Sequence, residues 1–275
     1  MRAAAVQMTS TQDKPRNLAT AERLVRAAAA DGCTLVVLPE KFNAIGTEEQ
    51  LRASAEPLDG PTIAWARGLA RELGIDLVAG SIAELRDGRD KLSNTCVHVG
   101  PDGELRGAYR KIHMFDVVVG GREYRESASE ERGDEIVVSE ADGARLGLTV
   151  CYDLRFPELF RILAVEGARV IAVPAAFTAV TGAAHWDTLV RARAIENQAF
   201  VVAADQVGMH GGGMESHGGS QIVDPWGDVL GRVGEGEGFA AADLDFDRQD
   251  EVRATLPSLA NRVPSAYRWP EEARA

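Results

Sequence analysis

Short apolar runs alternate with amphipathic segments along this chain. The runs predict buried strands because they are six or seven residues long and almost wholly apolar, and they cover residues 3–8, 34–39, 76–82, 145–151, 169–174 and 199–205. The segments between them carry apolar residues at helical spacing, and the clearest cover residues 18–28, 61–73, 157–167 and 185–198. Strands that alternate with helices predict an α/β fold.

Two further segments carry turn residues between apolar strands and therefore predict hairpins. The segment NTCVHVGPDGELRGAYRK, residues 94–111, turns at Asp102-Gly103, a dipeptide favoured in tight turns. The segment SQIVDPWGDVLGRV, residues 220–233, turns at its DPWG sequence. Hairpins pair their strands antiparallel, so we expect mixed sheet rather than wholly parallel sheet. Periodicity alone leaves open whether the strands form one sheet or two.

The composition restricts the classes of partner. The 275 residues carry a net charge of −12 and no run rich in lysine and arginine. Binding to nucleic acid or to an anionic membrane needs a basic surface, so we expect neither. A small molecule or another protein remains as the partner. The longest uncharged stretch, residues 170–184, is shorter than a spanning helix and is interrupted by Pro174 and Gly182.

Of the three cysteines, only one has a position suited to catalysis. An odd number of cysteines without a CxxC pair favours free thiols in a reducing compartment, and hence a cytoplasmic protein. Cys151 follows the apolar run LGLTV and precedes the helical segment PELFRILAVEG. A helix N-terminus and nearby cations favour a thiolate. Cys33 and Cys96 are expected to be buried structural residues.

A nucleophilic thiol needs a base and a group that stabilises an oxyanion. His113 and His185 are open alternatives for the base, although a packed histidine is the commoner role. Glu40 and Lys111 end β-type runs, where α/β folds assemble their sites. A carboxylate there can act as a general base, and an ammonium can stabilise an oxyanion. The five histidines show neither HxxH nor HxxxH spacing, so no metal site is expected.

Three segments together resemble the catalytic motifs of the nitrilase superfamily of carbon–nitrogen hydrolases. They are LPEKF around Glu40, YRKIHMFD around Lys111 and CYDLRFPELFR around Cys151. The flanking segments PAAFTAVTGAAHW, RARAIENQAFVVAADQ and HGGSQIVDPWGDVL are most similar to the Nit branch, which holds deaminated-glutathione amidases and omega-amidases. The resemblance covers nearly the whole chain.

The resemblance implies one carbon–nitrogen hydrolase domain over residues 1–275. Its fold would be a four-layer αββα sandwich made of two mixed sheets with helices outside. A homodimer or a larger homo-oligomer is also implied. We expect the C-terminal tail, from about residue 257, to be extended and to lie at an oligomer interface.

The resemblance also implies a cysteine-dependent amidase that needs no metal and no organic cofactor. Glu40 would take the proton of the Cys151 thiol, the thiolate would attack the amide carbon, and ammonia would leave a thioester. Lys111 and the backbone N–H of Tyr152 would hold the oxyanion. Glu40 would then activate the water that hydrolyses the thioester to an acid.

A second glutamate often positions the lysine and the substrate in this family. Glu126 falls at the matching place in the segment VVVGGREYRES. The segment departs from the family pattern, because Gly120 stands where proline is usual and one residue is missing. Glu123 therefore remains an alternative to Glu126.

Small carboxylate-bearing amides are the typical substrates of the Nit branch. Arginine binds a carboxylate with two parallel hydrogen bonds, so Arg155 is a candidate contact, with a structural ion pair as its alternative. The resemblance places four more residues near the pocket, namely Phe177, Thr178, His185 and Trp186. The run AFTAVTGAAHW is closer to the deaminated-glutathione type than to the omega-amidase type.

Other functions remain open from the sequence. An N-carbamoyl amide hydrolase of the same superfamily is the nearest alternative, and nitrile hydrolysis ranks below it. A non-catalytic binding protein on this fold is the alternative from another class. The glycine-rich segment 208–219 is expected to be a surface loop.

Overall fold

The computed structural model describes residues 1–268, which contain sixteen strands and seven α-helices. The strands are β1 (Arg2–Gln7), β2 (Leu35–Val37), β3 (Asp76–Glu84), β4 (Ser93–Val99), β5 (Leu105–Arg110), β6 (Asp116–Val119), β7 (Arg122–Arg125), β8 (Val138–Ala141), β9 (Ala144–Leu148), β10 (Val170–Ala175), β11 (Phe200–Asp205), β12 (Val207–Met209), β13 (Glu215–His217), β14 (Gln221–Val223), β15 (Val229–Arg232) and β16 (Gly238–Asp243). The helices are α1 (Lys14–Ala30), α2 (Glu48–Ser54), α3 (Pro61–Leu73), α4 (Glu126–Ser129), α5 (Pro157–Val165), α6 (Ala179–Asn197) and α7 (Phe246–Thr255).

Twelve of these strands form two six-stranded sheets. The first sheet has the order β16-β1-β2-β3-β4-β5, and the second has the order β15-β14-β11-β10-β9-β8. In the first sheet β1, β2 and β3 run parallel, and in the second β9, β10 and β11 do so. The outer strands of both sheets pair antiparallel, so both sheets are mixed as predicted.

Alternate residues of β1 face different layers. Ala3 and Ala5 pack in a cluster that contains the strands of the second sheet. Ala4 and Val6 pack in another cluster, with residues of α1 and α3. Because side chains alternate across a strand, both faces of the first sheet are covered, and this explains why the strand is apolar at successive positions.

The second sheet is covered in the same way. Helices α5 and α6 contribute Leu159, Phe160, Trp186 and Val190 to the cluster that also contains the apolar residues of β9, β10 and β11. The order of layers is therefore helix, sheet, sheet, helix. This confirms the predicted four-layer αββα sandwich.

The structure also differs from the predicted elements in several places. The strand predicted over residues 145–151 ends at Leu148, and α6 begins at Ala179 rather than near His185. The segment 208–219 contains the β12–β13 hairpin. Elements absent from the sequence prediction are α2, α4, α7, β8 and the β6–β7 hairpin.

The C-terminal tail is described only in part. Residues 257–268 form turns and a short 3-10 helix, Pro264–Ala266, and most of them are exposed. Residues 269–275 of the predicted tail lie outside the described residues. None of the helices within residues 1–268 has both the length and the apolar character needed to cross a bilayer.

Candidate active site

A cavity of about 300 Å³ lies where strands of both large sheets end. Glu40 lies three residues beyond β2, and Lys111 follows β5 directly. From the second sheet, Cys151 lies three residues beyond β9, and Ala176 follows β10. All four residues line the cavity. The three residues that the sequence singled out, Glu40, Lys111 and Cys151, therefore meet in one space.

Lys111 lies between two carboxylates. Its Nζ is 3.0 Å from Glu40 Oε1 and 2.9 Å from Glu126 Oε1. The side chain of Lys111 is only 2% exposed, and those of Glu40 and Glu126 are 5% and 10% exposed. Ion pairs with so little exposure are strong because water screens them poorly.

The charges of this cluster shift the pKa of Lys111 and that of Glu126. Burial alone would lower the pKa of Lys111, but the carboxylates of Glu126 and Glu40 outweigh it and hold that pKa well above its ordinary value. Burial alone would raise the pKa of Glu126, but the ammonium groups of Lys111 and Lys41 lower it to about 2. At neutral pH Lys111 is therefore a cation and Glu126 an anion.

Two groups that the sequence analysis missed hold the carboxylate of Glu40. Asn94 Nδ2 donates to Glu40 Oε1 at 2.8 Å and contacts Glu126 Oε1 at 3.2 Å. The backbone N–H of Ala176 donates to Glu40 Oε2 at 2.9 Å. Asn94 begins the segment NTCVHV, which predicted a strand and gave no sign of a site. A backbone N–H such as that of Ala176 leaves no signal in a sequence.

Cys151 stands at a sharp turn between strand and helix. Its φ of 46° lies in the left-handed region, which is costly for a residue with a Cβ atom. The buried carboxylate of Asp153 holds this turn, because its Oδ2 accepts from the N–H of Val150 at 2.9 Å and from the Tyr109 hydroxyl at 2.7 Å. Strained backbone of this kind clusters at functional sites.

The thiol of Cys151 is protonated in the resting site. Burial raises its pKa well above the ordinary value, and the carboxylate of Glu40 raises it further. Lys111 and the backbone N–H of Ala176 act in the opposite direction without offsetting the rise. The expectation of a thiolate favoured by the helix N-terminus is therefore wrong for the resting site, because desolvation outweighs it.

The structure separates the predicted substrate contacts into two groups. Tyr152, Phe177 and Thr178 line the cavity. Trp186 does not, because it is fully buried and its indole N–H donates to the carbonyl of Gly219 at 2.9 Å. A direct contact between Trp186 and the substrate is therefore wrong.

Arg155 and His185 also lie outside the cavity lining. His185 is an exposed residue of α6, and its Nδ1 is 3.2 Å from Arg155 Nη1. The Arg155 guanidinium lies over the rings of Phe177 and Tyr152, at 5.0 Å and 5.9 Å from their centroids. The contacts of Arg155 and His185 with the substrate therefore stay predictions, and neither residue lines the cavity directly. Arg155 thus contacts two rings of the cavity wall.

The open alternatives for base and second glutamate can now be compared. His113 bonds Asp153 Oδ1 at 2.7 Å and stacks on Phe156, and neither His113 nor His185 lines the cavity. Glu123 lines the cavity mouth, but it is exposed and 3.9 Å from Arg125. Glu126, by contrast, contacts Lys111 directly.

The comparison with protein families gives one clear match. The family model described as Carbon-nitrogen hydrolase matches residues 2–254. A deaminated glutathione amidase from Synechocystis sp. is 41% identical over 266 residues, which cover 95% of this chain and 97% of that protein. An omega-amidase NIT2 from Xenopus tropicalis is 37% identical over 263 residues, covering 95% of each chain.

A solved structure supports the same assignment. Saccharomyces cerevisiae Nit3, a member of branch 10 of the nitrilase superfamily, matches with a TM-score of 0.87 and 31% identity and covers 97% of both chains. The fold, the family match and the relatives agree with one another. The chain therefore belongs to the carbon–nitrogen hydrolases of the nitrilase superfamily, on the Nit branch, and is an enzyme that hydrolyses amides.

Proposed function

We propose that this enzyme is a cysteine-dependent amidase that hydrolyses a small linear carboxylate-bearing amide to an acid and ammonia. One observation carries the proposal. The Lys111 ammonium lies between the carboxylates of Glu40 and Glu126 on the wall of the cavity that also holds the Cys151 thiol. A nucleophile, a base and a fixed cation in one small space are what acyl transfer from an amide requires.

The first half of the reaction forms a thioester. Glu40 accepts the thiol proton as the sulfur of Cys151 attacks the amide carbon, so no resting thiolate is needed. Lys111 and the backbone N–H of Tyr152 hold the oxyanion of the tetrahedral intermediate. Glu40 then returns the proton to the amide nitrogen, the carbon–nitrogen bond breaks, and ammonia leaves.

The second half releases the acid. Glu40 takes a proton from a water molecule, whose oxygen attacks the thioester carbon. The second tetrahedral intermediate collapses, the carbon–sulfur bond breaks, and Glu40 returns the proton to Cys151. Glu126 and Asn94 are positioning residues in this scheme, because they bond Lys111 and Glu40. The pKa of about 2 keeps Glu126 an anion through the cycle.

The substrate class is supported by the names of the relatives and by the cavity mouth. The relatives from Synechocystis sp. and Xenopus tropicalis are a deaminated glutathione amidase and an omega-amidase. Both names are compatible with an amide that carries a carboxylate at its other end. The exposed guanidinium groups of Arg122 and Arg125 line the mouth and can meet such a group. Tyr152, Phe177 and Thr178 would contact the chain between the two ends.

Ammonia release from a panel of ω-amides and deaminated glutathione tests the proposal. We expect turnover by the wild-type enzyme and by Cys33→Ala, which removes a buried cysteine remote from the cavity. Cys151→Ala and Lys111→Ala should lose turnover by about a thousandfold or more. Full activity in the Cys151 variant would rule out the mechanism.

The same assay separates the alternatives. Release of carbon dioxide together with ammonia from N-carbamoyl substrates would identify an N-carbamoyl amide hydrolase. A binding protein on this fold would release no ammonia from any of them. The three free cysteines support a reducing compartment, and we place the enzyme in the cytoplasm.

We also propose that the enzyme is a homodimer or a larger homo-oligomer. Ile162 and Val165 of α5 and Ile195 of α6 are exposed apolar residues on the outer layer. The tail reaches α5, because burial and the nearby charge of Arg262 lower the pKa of Arg161 in that helix. Exposed apolar surface of this kind marks protein interfaces.

Analytical ultracentrifugation tests the assembly. Ile162→Arg should dissociate the oligomer, whereas Leu105→Arg, which changes an exposed apolar residue of β5, should leave it intact. Truncation after residue 256 should weaken association, and unchanged association would mean that the tail takes no part in the interface. A wild-type monomer at micromolar concentration would contradict the proposal.

A further inference from the structure

Two charged residues of the cavity, Glu130, which is buried, and Lys41, which is partly buried, have no role in the scheme above. Lys41 follows Glu40 in the chain, and Glu130 directly follows the single-turn helix α4, which begins at Glu126. Their side chains form an ion pair, with 11% of Lys41 and 2% of Glu130 exposed. Both residues line the cavity.

The pair joins the two segments that carry Glu40 and Glu126. The backbone of Lys41 has a φ of 51°, in the left-handed region, and its N–H donates to Ser81 Oγ at 3.0 Å. The N–H of Glu130 donates to the carbonyl of Glu126 at 2.9 Å. Lys111 joins the side chains of Glu40 and Glu126. The Lys41–Glu130 ion pair forms a second link between the same two chain segments.

Packing alone is a weak explanation for this pair. The Oε2 atom of Glu130 is buried and has no hydrogen-bond partner within the described residues. Leaving a buried carboxylate oxygen unpaired costs about 1–3 kcal/mol, and apolar residues of the same volume would avoid that cost. The pair therefore needs another explanation, and its electrostatic effect on its neighbours provides one.

The charge of Lys41 acts on the proposed catalytic carboxylates. Burial would lower the pKa of Lys41, but Glu130, Glu126 and Glu40 raise it, so all three carboxylates lie within its field. The Lys41 ammonium is in turn the second cation, after Lys111, that lowers the pKa of Glu126. Three carboxylates and two ammonium groups thus share one buried cluster.

We propose that Lys41 and Glu130 are positioning residues whose pair sets the charge of the Glu40–Lys111–Glu126 cluster, and with it the pH range of catalysis. The inference rests on the proposed amidase function. Lys41 supplies positive charge that, after Lys111, lowers the pKa of Glu126 and keeps that carboxylate ionised at acidic pH. Glu130 determines how much of that charge is neutralised.

The ionisation of Glu130 falls in the working range of the enzyme. Burial is the main cause that raises its pKa, to about 7, and the like charge of Glu126 adds to it, while Lys41 and Lys111 oppose it. Below pH 7 the carboxyl of Glu130 is protonated and the charge of Lys41 acts in full. Above pH 7 the carboxylate neutralises Lys41.

The pH profile of kcat/KM distinguishes this role from a structural one. Lys41→Met should move the acidic limb to higher pH by about 0.5–1 unit, because carboxylates without the nearby cation bind protons more readily. Lys41→Arg should restore the limb. Glu130→Gln should not move it upward, and should remove the inflection near pH 7. The inference would be overturned if the acidic limb of kcat/KM did not move in Lys41→Met. It would also be overturned if that limb moved to higher pH equally in Lys41→Met and Glu130→Gln.

Two controls and a second readout complete the design. Lys91→Met and Glu131→Gln remove charges of the same region that lie outside the cavity lining, and both should keep the wild-type profile.

Alkylation of Cys151 by iodoacetamide needs no substrate, and Lys41→Met should move its pH midpoint upward too. If the wild type hydrolyses no amide, the proposed function fails and the inference about catalysis fails with it, and a moved midpoint would then show only that the charge of Lys41 acts on Cys151. If the wild type is active and neither profile moves, the inference alone fails.

Discussion

Glu40 has opposite effects on the thiol of Cys151 before and during the reaction. In the resting site its carboxylate raises the pKa of the thiol, after the larger effect of burial. During attack the same carboxylate accepts the proton. Its ligands Lys111, Asn94 and the N–H of Ala176 hold it ready for that transfer. The catalytic value of Glu40 therefore lies in general-base chemistry, with no resting thiolate formed.

The variant Glu40→Gln separates these two effects. Amide hydrolysis should fall by about 10²–10⁴-fold, because the general base is lost. Alkylation of Cys151 by iodoacetamide near pH 8 should become several-fold faster, since the thiol pKa falls when the nearby negative charge is removed. Mass spectrometry of the alkylated peptide and an ammonia assay measure the two rates. Parallel loss of both rates would contradict the argument.

At the scale of elements, the sequence predicted the strands that are buried on both faces and missed elements that lie on the surface. Strands β1, β2 and β10 were predicted because every position is buried or nearly so. The β6–β7 hairpin was missed because half or more of its residues are exposed and it carries charged residues. Its end leads into α4, so the placement of Glu126 beside Lys111 was predicted from the resemblance alone, with Glu123 as the alternative.

The residues of the site were also predicted only where the sequence pattern marked them. Glu40, Lys111 and Cys151 could be singled out because each ends a β-type run and together they resemble one family. Asn94 lies inside β4, where an apolar run predicts only a strand. Trp186 was placed near the pocket by resemblance, but packing decided its position, because the indole fits under the glycine-rich segment beside Phe177.

The turn that presents Cys151 depends on one carboxylate. Asp153 accepts from the N–H of Val150 and the hydroxyl of Tyr109, and its other oxygen is 2.7 Å from His113 Nδ1. Asp153→Asn replaces one acceptor oxygen with a donor and leaves a buried group unpaired. We expect a loss of about 1–3 kcal/mol in unfolding free energy and at least a tenfold fall in kcat.

Urea unfolding and steady-state kinetics measure this effect. Glu158→Gln is a suitable control, because it changes an exposed carboxylate in the first turn of α5, seven residues beyond Cys151. That variant should stay within about 0.5 kcal/mol of the wild type. Unchanged kcat in Asp153→Asn would show that the turn holds Cys151 without this carboxylate.

At the scale of the whole molecule, the site exists only because two sheets face each other. Glu40, Asn94 and Lys111 come from the first sheet, and Cys151 and Ala176 come from the second. Base and nucleophile therefore lie on separate layers, and the packing between the sheets fixes the distance between them. A sequence shows the two layers as separate runs, and this is why their register could not be predicted.

The same buried cluster makes the stability of the molecule depend on pH. Glu130 has a folded-state pKa of about 7 against an ordinary 4.5, so its contribution is full below about pH 4.5 and is lost as pH rises through 7. Glu126 has a pKa of about 2, so its contribution is present above 4.5 and is lost as pH falls towards 2. The stability that Glu130 contributes is therefore lost at high pH, whereas the stability that Glu126 contributes is lost at low pH.

Comparison of the wild type with Glu130→Gln isolates the first contribution. Between pH 5 and 7.5 the wild type should lose about 1–3 kcal/mol of unfolding free energy relative to this variant, because the variant has no proton to release at that position. Urea titrations at steps across this range measure the difference. Glu131→Gln, beside it but partly exposed and paired with Arg86, should run parallel to the wild type. A constant difference between wild type and Glu130→Gln from pH 5 to 7.5 would mean that Glu130 is ionised throughout, and that Lys41 is neutralised at every pH where the enzyme works.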